Sequence, residues 1–230
     1  MRNRGMVAIV DYGMGNLFSV KTACGQVGLE ARISSSARDL SLADAVLLPG
    51  VGAFGDAMDA LRRLDLLTVL RDIAASGKPL VGICLGLQLF MNESEEFGRH
   101  DGLGLIAGRV VPLGAPSGNG RRLKVPQVGW NQLRPAKQSW EDSLLSGVTD
   151  GAYVYFVHSF IVEPQDPKLA LSMTTYGDVN FCSSLQSGNV FGCQFHPERS
   201  GPTGLGIYRN LAARLLEGNL MSTSPQSNPS

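Results

Sequence analysis

Three short apolar runs, "MVAIV", "AVLL" and "PLVGI", each lead into a turn built on glycine. About five apolar residues with no polar alternation describe a strand covered on both faces, as in a parallel sheet. The segments around these runs have helical texture. "NLFSVKTACGQVG" predicts a helix closing at Gly28. From Asp56 to Ala75 the apolar residues Ala57, Leu61, Leu64, Leu67, Leu70 and Ala74 keep helical spacing and predict a single helix. Gly77-Lys78-Pro79 stops it. "EARIS" adds a strand, separated from "AVLLPG" by a short polar connection. Strands alternating with helices predict an α/β fold, a mostly parallel central sheet flanked by helices.

Past Gly98 the texture changes. "LGLIAGRVVPL", "VGWNQLRP", "AYVYFVHSF", "LALSMTTYG", "NFCSSLQSG" and "VFGCQFH" are strand-like and punctuated by Gly, Pro and Asn, which predicts a smaller antiparallel strand region in the second half. "APSGNGRR" reads as a mobile loop. A final helix from Thr203 to Glu217 closes a single domain spanning 1–218, and the polar tail 219–230 is expected to be disordered. At 230 residues and 43% hydrophobic, one large core is expected rather than two.

Lys plus Arg and Asp plus Glu balance at 20 each, so no net charge draws the chain to nucleic acid or to an anionic membrane surface. The first apolar run is too short for a signal-peptide core, and no apolar span approaches the roughly 18 residues of a transmembrane helix. Cys24, Cys84, Cys182 and Cys193 show neither CxxC nor zinc spacing. Free thiols in a reducing cytoplasm are expected, with no metal and no cofactor.

One cysteine stands apart. In "GICLGLQ" an apolar strand meets a G-x-C-x-G turn and then a helix, the pattern of a nucleophile elbow. The turn would expose Cys84 at a helix N-terminus, where the dipole favours thiolate, and the backbone N–H of Leu85 would face an oxyanion. The same residues also suit a buried cysteine with glycines that serve only close packing. A thiolate needs a base, and the chain has 3 histidines. His100, in "FGRHDG", reads as a solvated loop residue. His158, ending "YVYFVH", reads as a core or pocket-edge histidine. His196 ends "VFGCQFH" and is followed by Pro197 and Glu198. Pro197 holds His196 extended, and an acid two residues on can accept from the imidazole and set its tautomer. Cys84, His196 and Glu198 together form a nucleophile, base and orienting acid.

"GICLGLQ" with "QFHPERS" resembles the class I glutamine amidotransferases, whose triad is Cys-His-Glu. That resemblance implies Cys84 as nucleophile, His196 as general acid and base, Glu198 as its partner, and L-glutamine as substrate, hydrolysed through a glutamyl thioester. Within that class, "DYGMGNLFSV", "LPGVGAFGDAM", "VGWN" and "YFVHS" resemble the glutaminase subunits of imidazole glycerol phosphate synthases, of the histidine pathway. This further likeness implies oxyanion donors from Val51, Gly52 and Leu85, and substrate contacts from Gln88, Glu96, Ser159 and Phe160. It also implies a heterodimer with a (β/α)8 cyclase subunit that receives the ammonia, with the contact around Asn16, Trp130, Asn131 and Arg199.

Taken alone, "PGVG" is a strand-end turn, Glu96 a solvated helix-end charge and Trp130 a core aromatic. Two positions depart from the pattern: Gln127, where many relatives carry histidine, and Phe160, where tyrosine is common. "EEFGRHDGLGLI", "FCSSL" and "HPERSG" resemble paralogs that supply ammonia to surface-polysaccharide sugars. Two other readings differ in class. One is a catalytically silent partner-binding scaffold, which an intact triad argues against. The other is a cysteine hydrolase of the dienelactone type, whose acid would sit on a separate loop.

Overall fold

The computed structural model describes residues 5–136 and 139–222. Its first half runs β1 (Met6–Val10), α1 (Leu17–Gln26), β2 (Glu30–Ser34), α2 (Ala37–Leu42), β3 (Ala45–Gly50), α3 (Phe54–Arg63), α4 (Leu66–Ala75), β4 (Leu80–Cys84) and α5 (Leu85–Leu89). Short strands β5 (Glu93–Ser94) and β6 (His100–Asp101) lead to β7 (Gly108–Pro112), β8 (Ser117–Gly118), β9 (Arg121–Arg122), β10 (Gln127–Gln132) and β11 (Arg134–Pro135). The remainder is β12 (Tyr153–His158), β13 (Phe160–Pro164), β14 (Ala170–Tyr176), β15 (Val179–Ser187), β16 (Val190–Cys193) and the terminal helix α6 (Gly201–Ser222).

A 12-stranded sheet organises the chain. Strands β2, β1, β3, β4 and β16 lie side by side and parallel. Antiparallel β15, β13 and β7 extend the sheet beyond β16. The predicted architecture therefore stands, parallel in the first half and antiparallel in the second. Its core is double, because successive strand residues face opposite sides. Val7 and Ile9 pack beneath α1 and α6 with Val20, Cys24, Ile207 and Leu211. Ala8 and Val10 pack on the other side with Leu40, Leu61, Leu70 and Leu87, from α2, α3, α4 and α5.

Several local expectations are corrected. The helix predicted from Asp56 to Ala75 is two helices, because Asp65 takes a left-handed conformation (φ 54°) that breaks the chain. Across the break the buried positions become Leu66, Leu70 and Ile73, leaving Leu64 on the surface. The connection before β3 contains the short helix α2, capped by the Ser36 side chain. "APSGNGRR" carries a small hairpin, β8 paired with β9, that Asp178 ties down by accepting from the Ser117 N–H and hydroxyl. α6 starts two residues earlier than expected and continues to Ser222, past the boundary placed at 218. The rest of the expected disordered tail lies outside the described residues. Among the described residues, no helix is long and apolar enough to cross a membrane.

Candidate active site

β4 ends at Cys84, which has φ 55° and ψ −107°. A non-glycine residue held there stores backbone strain, and such strain persists only where the surroundings fix it. Here they do. α5 turns back so tightly that a Cβ on Gly86 would overlap the Leu48 carbonyl, and one on Gly82 would press on the Phe90 ring. The result is a nucleophile elbow with Cys84 at the N-terminal end of a five-residue helix. Its sulfur lies 3.6 Å from the Val157 carbonyl and 3.6 Å from Nε2 of Gln194, which donates to it.

His196 follows β16, the parallel neighbour of β4, and so arrives beside the elbow. Its backbone N–H donates to the Tyr155 carbonyl at 2.9 Å. The Ser200 hydroxyl donates to the His196 carbonyl at 2.6 Å and accepts the Tyr155 N–H at 3.0 Å. These bonds fix the Pro197–Arg199 turn, which places Glu198 Oε1 2.8 Å from His196 Nδ1. Burial alone would depress the imidazole pKa, but the neighbouring Cys84 and the hydrogen bond to Glu198 outweigh it and raise the value to about 10. A cationic imidazole beside a sulfur is the charge arrangement that stabilises a thiolate.

Beside the sulfur lies a cavity of about 260 Å³, near the lower end of the roughly 300–1,000 Å³ of small-molecule sites. Val51, Gly52, Leu85, Gln88, Glu96, Ser159 and Phe160 all line it with Cys84. The seven oxyanion and substrate residues named from sequence thus converge on one space from four separate segments. Glu96 is buried and accepts the Phe54 N–H at 2.6 Å, so it is no solvated helix-end charge. Burial raises its pKa, and that hydrogen bond works against the rise. Gln88 Nε2 donates to the Phe160 carbonyl at 3.2 Å and to Gln194 Oε1 at 3.1 Å. Among the described residues, no cluster of three or more His, Cys, Asp or Glu side chains is placed to hold a metal ion.

A model of the class-I glutamine amidotransferase family matches residues 8–214. The chain belongs to this family. Among curated relatives, imidazole glycerol phosphate synthase subunit HisH of Aquifex aeolicus is 47% identical over 88% of this chain and 93% of its own length. Subunit HisH 1 of Legionella pneumophila (strain Lens) is 42% identical over 87% of this chain and 95% of its own. In fold the amidotransferase also matches the solved structure of PurLQS from Thermotoga maritima, with TM-score 0.69 at 20% identity, over 92% of this chain and 99% of that one.

Sequence reasoning missed three parts of this amidotransferase's site. Gln194 is fully buried and links Gln88 to the Cys84 sulfur. No local pattern marks it, since it directly follows the apolar strand β16. Pro126 and Val157 also line the cavity. His158, left open between core and pocket edge, is both: it is buried and lines the cavity. Its Nδ1 sits 3.0 Å from the Phe160 carbonyl, which can only accept, so Nδ1 carries the proton. Burial lowers its pKa to about 4, so the ring is neutral and Nε2 accepts. The Gln127 amide, 3.1 Å away, must then present its N–H to it, and amide orientation is assigned from such networks. The departure at Gln127 is thus accommodated by a hydrogen bond. That at Phe160 is accommodated because the network uses its carbonyl rather than its ring.

His100 is corrected as well. It forms part of strand β6 and packs against Gly55 at the start of α3 instead of lying free in solvent. Trp130, read as either a core aromatic or a contact residue, is 56% exposed and meets Tyr155 edge-on at 6.0 Å. The Arg199 guanidinium lies over the same Tyr155 ring at 4.5 Å. Asn131 donates to the Thr175 carbonyl, and Asn16 caps α1. The four residues expected at a partner contact therefore lie apart from the cavity, outside its lining.

Proposed function

We propose that this chain is the glutaminase subunit of an imidazole glycerol phosphate synthase. It hydrolyses L-glutamine to L-glutamate and hands the ammonia to a (β/α)8 cyclase partner in a cytoplasmic heterodimer. The observation that carries the reading is the meeting of Cys84, His196 and Glu198 beside a cavity lined by every expected substrate residue.

The chemistry follows from the positions. The Cys84 thiolate attacks the side-chain amide carbon, and the negative charge moves to the carbonyl oxygen. The Leu85 N–H, at the first turn of α5, and the backbone N–H groups of Val51 and Gly52 stabilise that charge; one such donor is worth about 10²–10³ in rate. Imidazolium His196 gives its proton to the departing amide nitrogen, so the C–N bond breaks and ammonia leaves behind a thioester. Water then attacks the thioester as neutral His196 takes its proton. Glutamate departs and the thiolate and imidazolium are restored. Glu198 accepts from Nδ1 throughout, which keeps the imidazole oriented in both half-reactions. Glu96, an anion at the cavity wall, suits the α-ammonium group of the substrate.

The partner reading rests on the outer face of the β10–β12 pair. Trp130 and Tyr155 are opposite one another in register, and Val128, Trp130 and Tyr153 are exposed. Exposed aromatics with an arginine are the composition of interface anchors. The strand beneath them supplies the Val157 carbonyl to Cys84 and the Tyr155 carbonyl to His196, so a subunit seated there bears directly on the site. The test is to titrate a purified cyclase subunit, with and without its ribonucleotide ligand, into a fixed amount of this chain. Glutaminase turnover should rise by orders of magnitude. Cys84→Ala should abolish glutamine-dependent product while ammonium salt still supports the cyclase. Cys84→Ala with most of its glutaminase turnover intact would overturn the assignment.

A further inference from the structure

Glu198 is held by His196 through one oxygen only. Its side chain is 2% exposed, and among the described residues Oε2 has no hydrogen-bond partner. The hydroxyl of Tyr208 is likewise buried and without a partner among the described residues. One group can only accept and the other can donate. A buried polar atom left unpaired is destabilising, so two complementary orphans in one neighbourhood point to a shared solution.

The packing places them there. α6 passes so close to the turn bearing Glu198 that a Cβ on Gly204 would overlap the Pro197 carbonyl. Tyr208 is one helical turn further on, along the same face, and helical side chains lean back toward the N-terminus. That direction aims its ring back over Gly204 toward the turn, and Glu198 is among the charges that act on its hydroxyl. Tyr208 shares one core with Cys24, Cys193 and Phe195.

We propose that Tyr208 is a positioning residue of the triad, its hydroxyl donating through one buried water to Oε2 of Glu198. The inference rests on the triad reading above. A carboxylate held through one oxygen can turn about that bond; a donor at Oε2 fixes its plane, and with it the orientation of the imidazole. The other titratable groups around the Glu198 and Tyr208 pair are His196 and Cys193 near Glu198, Cys24 and Cys193 near Tyr208, and Cys84 beyond His196. Burial pushes the Cys24 thiol up to about 12 and the Cys193 thiol and Tyr208 hydroxyl well above their usual ranges. None of those three changes charge below pH 8, and Tyr208 stays a donor.

The test is Tyr208→Phe, which removes one oxygen and keeps the ring. Loss of a water-relayed hydrogen bond to a charged group should lower kcat about tenfold, with KM for glutamine within about twofold. The fall should be confined to kcat, since a misoriented imidazole slows both proton transfers without touching the contacts that bind substrate. A kcat within twofold of the unaltered chain, or a fall in activity carried by KM, overturns the proposal whatever the melting temperature does. A crystal structure of the unaltered chain that shows ordered water gives a second reading independent of the variant. A water oxygen within about 3.2 Å of both groups supports the bridge, and either group bonded elsewhere rules it out. Cys84→Ala run alongside separates the two levels: activity there sinks the triad itself, whereas an inactive Cys84→Ala with an unaltered Tyr208→Phe sinks only the role of Tyr208.

Discussion

Gly50 stands directly opposite Cys84 where β3 and β4 end, and the space a Cβ would need on it is already filled by the Tyr12 hydroxyl. That hydroxyl donates to the Pro49 carbonyl at 2.9 Å, and Leu85 Cβ would lie 3.0 Å from the same added atom. The strand leading to the proposed oxyanion donors and the elbow carrying the proposed nucleophile are thus packed against each other with no room for a methyl group.

Gly50→Ala should consequently damage catalysis more than stability. Overpacking costs about 1–3 kcal/mol, a fall in melting temperature of about 2–12 °C at this chain length. Displacing one oxyanion donor should cost about 10²–10³ in kcat. Glutaminase assays beside thermal melts separate the two effects, and a kcat within twofold of the unaltered chain would contradict this account of the strand.

A glutamine-mimicking electrophile should label Cys84 and spare the other three cysteines. All four thiols are buried, so exposure does not discriminate among them. Position does: Cys84 alone among them lines the cavity, whereas burial holds Cys24 and Cys182 at about 12 and Cys193 well above its usual range. Peptide mapping by mass spectrometry decides it. Cys193, the neighbour closest in the fold, is the one whose prior labelling would be most damaging.

Glu96→Gln keeps the shape of the cavity wall and the hydrogen bond from Phe54 but removes the charge. A charged hydrogen bond to the substrate ammonium is worth about 1.5–3 kcal/mol. KM for glutamine should therefore rise about tenfold to a hundredfold, with kcat much less affected. Steady-state kinetics read both, and a change confined to kcat would remove Glu96 from substrate binding.

The two buried histidines should give opposite pH signatures in stability. His196 has a folded pKa of about 10 against an ordinary 6.5, so its contribution is complete below about pH 6.5 and lost as pH rises toward about 10. His158 is depressed to about 4, so its contribution is complete above about pH 6.5 and lost as pH falls toward about 4. Urea denaturation of His158→Gln should show a flatter acid side than the unaltered chain, and His196→Gln a flatter alkaline side. Parallel curves for either variant would refute the corresponding shift.

The parallel half of the fold and the candidate trio of Cys84, His196 and Glu198 were legible in the residues because their signals are local. Apolar runs without alternation specify buried strands. A cysteine between Gly82 and Gly86, and a histidine two residues before Glu198, specify their own turns. The division of the helix at Asp65 was not legible, because Leu64 and Leu67 continue the apolar spacing through a break set by tertiary packing, α3 against α5 and β6 and α4 against α2. Gln194 was likewise silent. A glutamine in an apolar strand carries no pattern, and its meaning arises only when β16 is laid beside β4 and its amide reaches both Gln88 and the Cys84 sulfur. The sequence by itself determined which groups can do chemistry, since that is a property of side chains and their near neighbours. Tertiary structure decided which of them share a cavity, how His196 is charged and what surrounds the second oxygen of Glu198, since these depend on burial and on contacts between segments far apart in the chain.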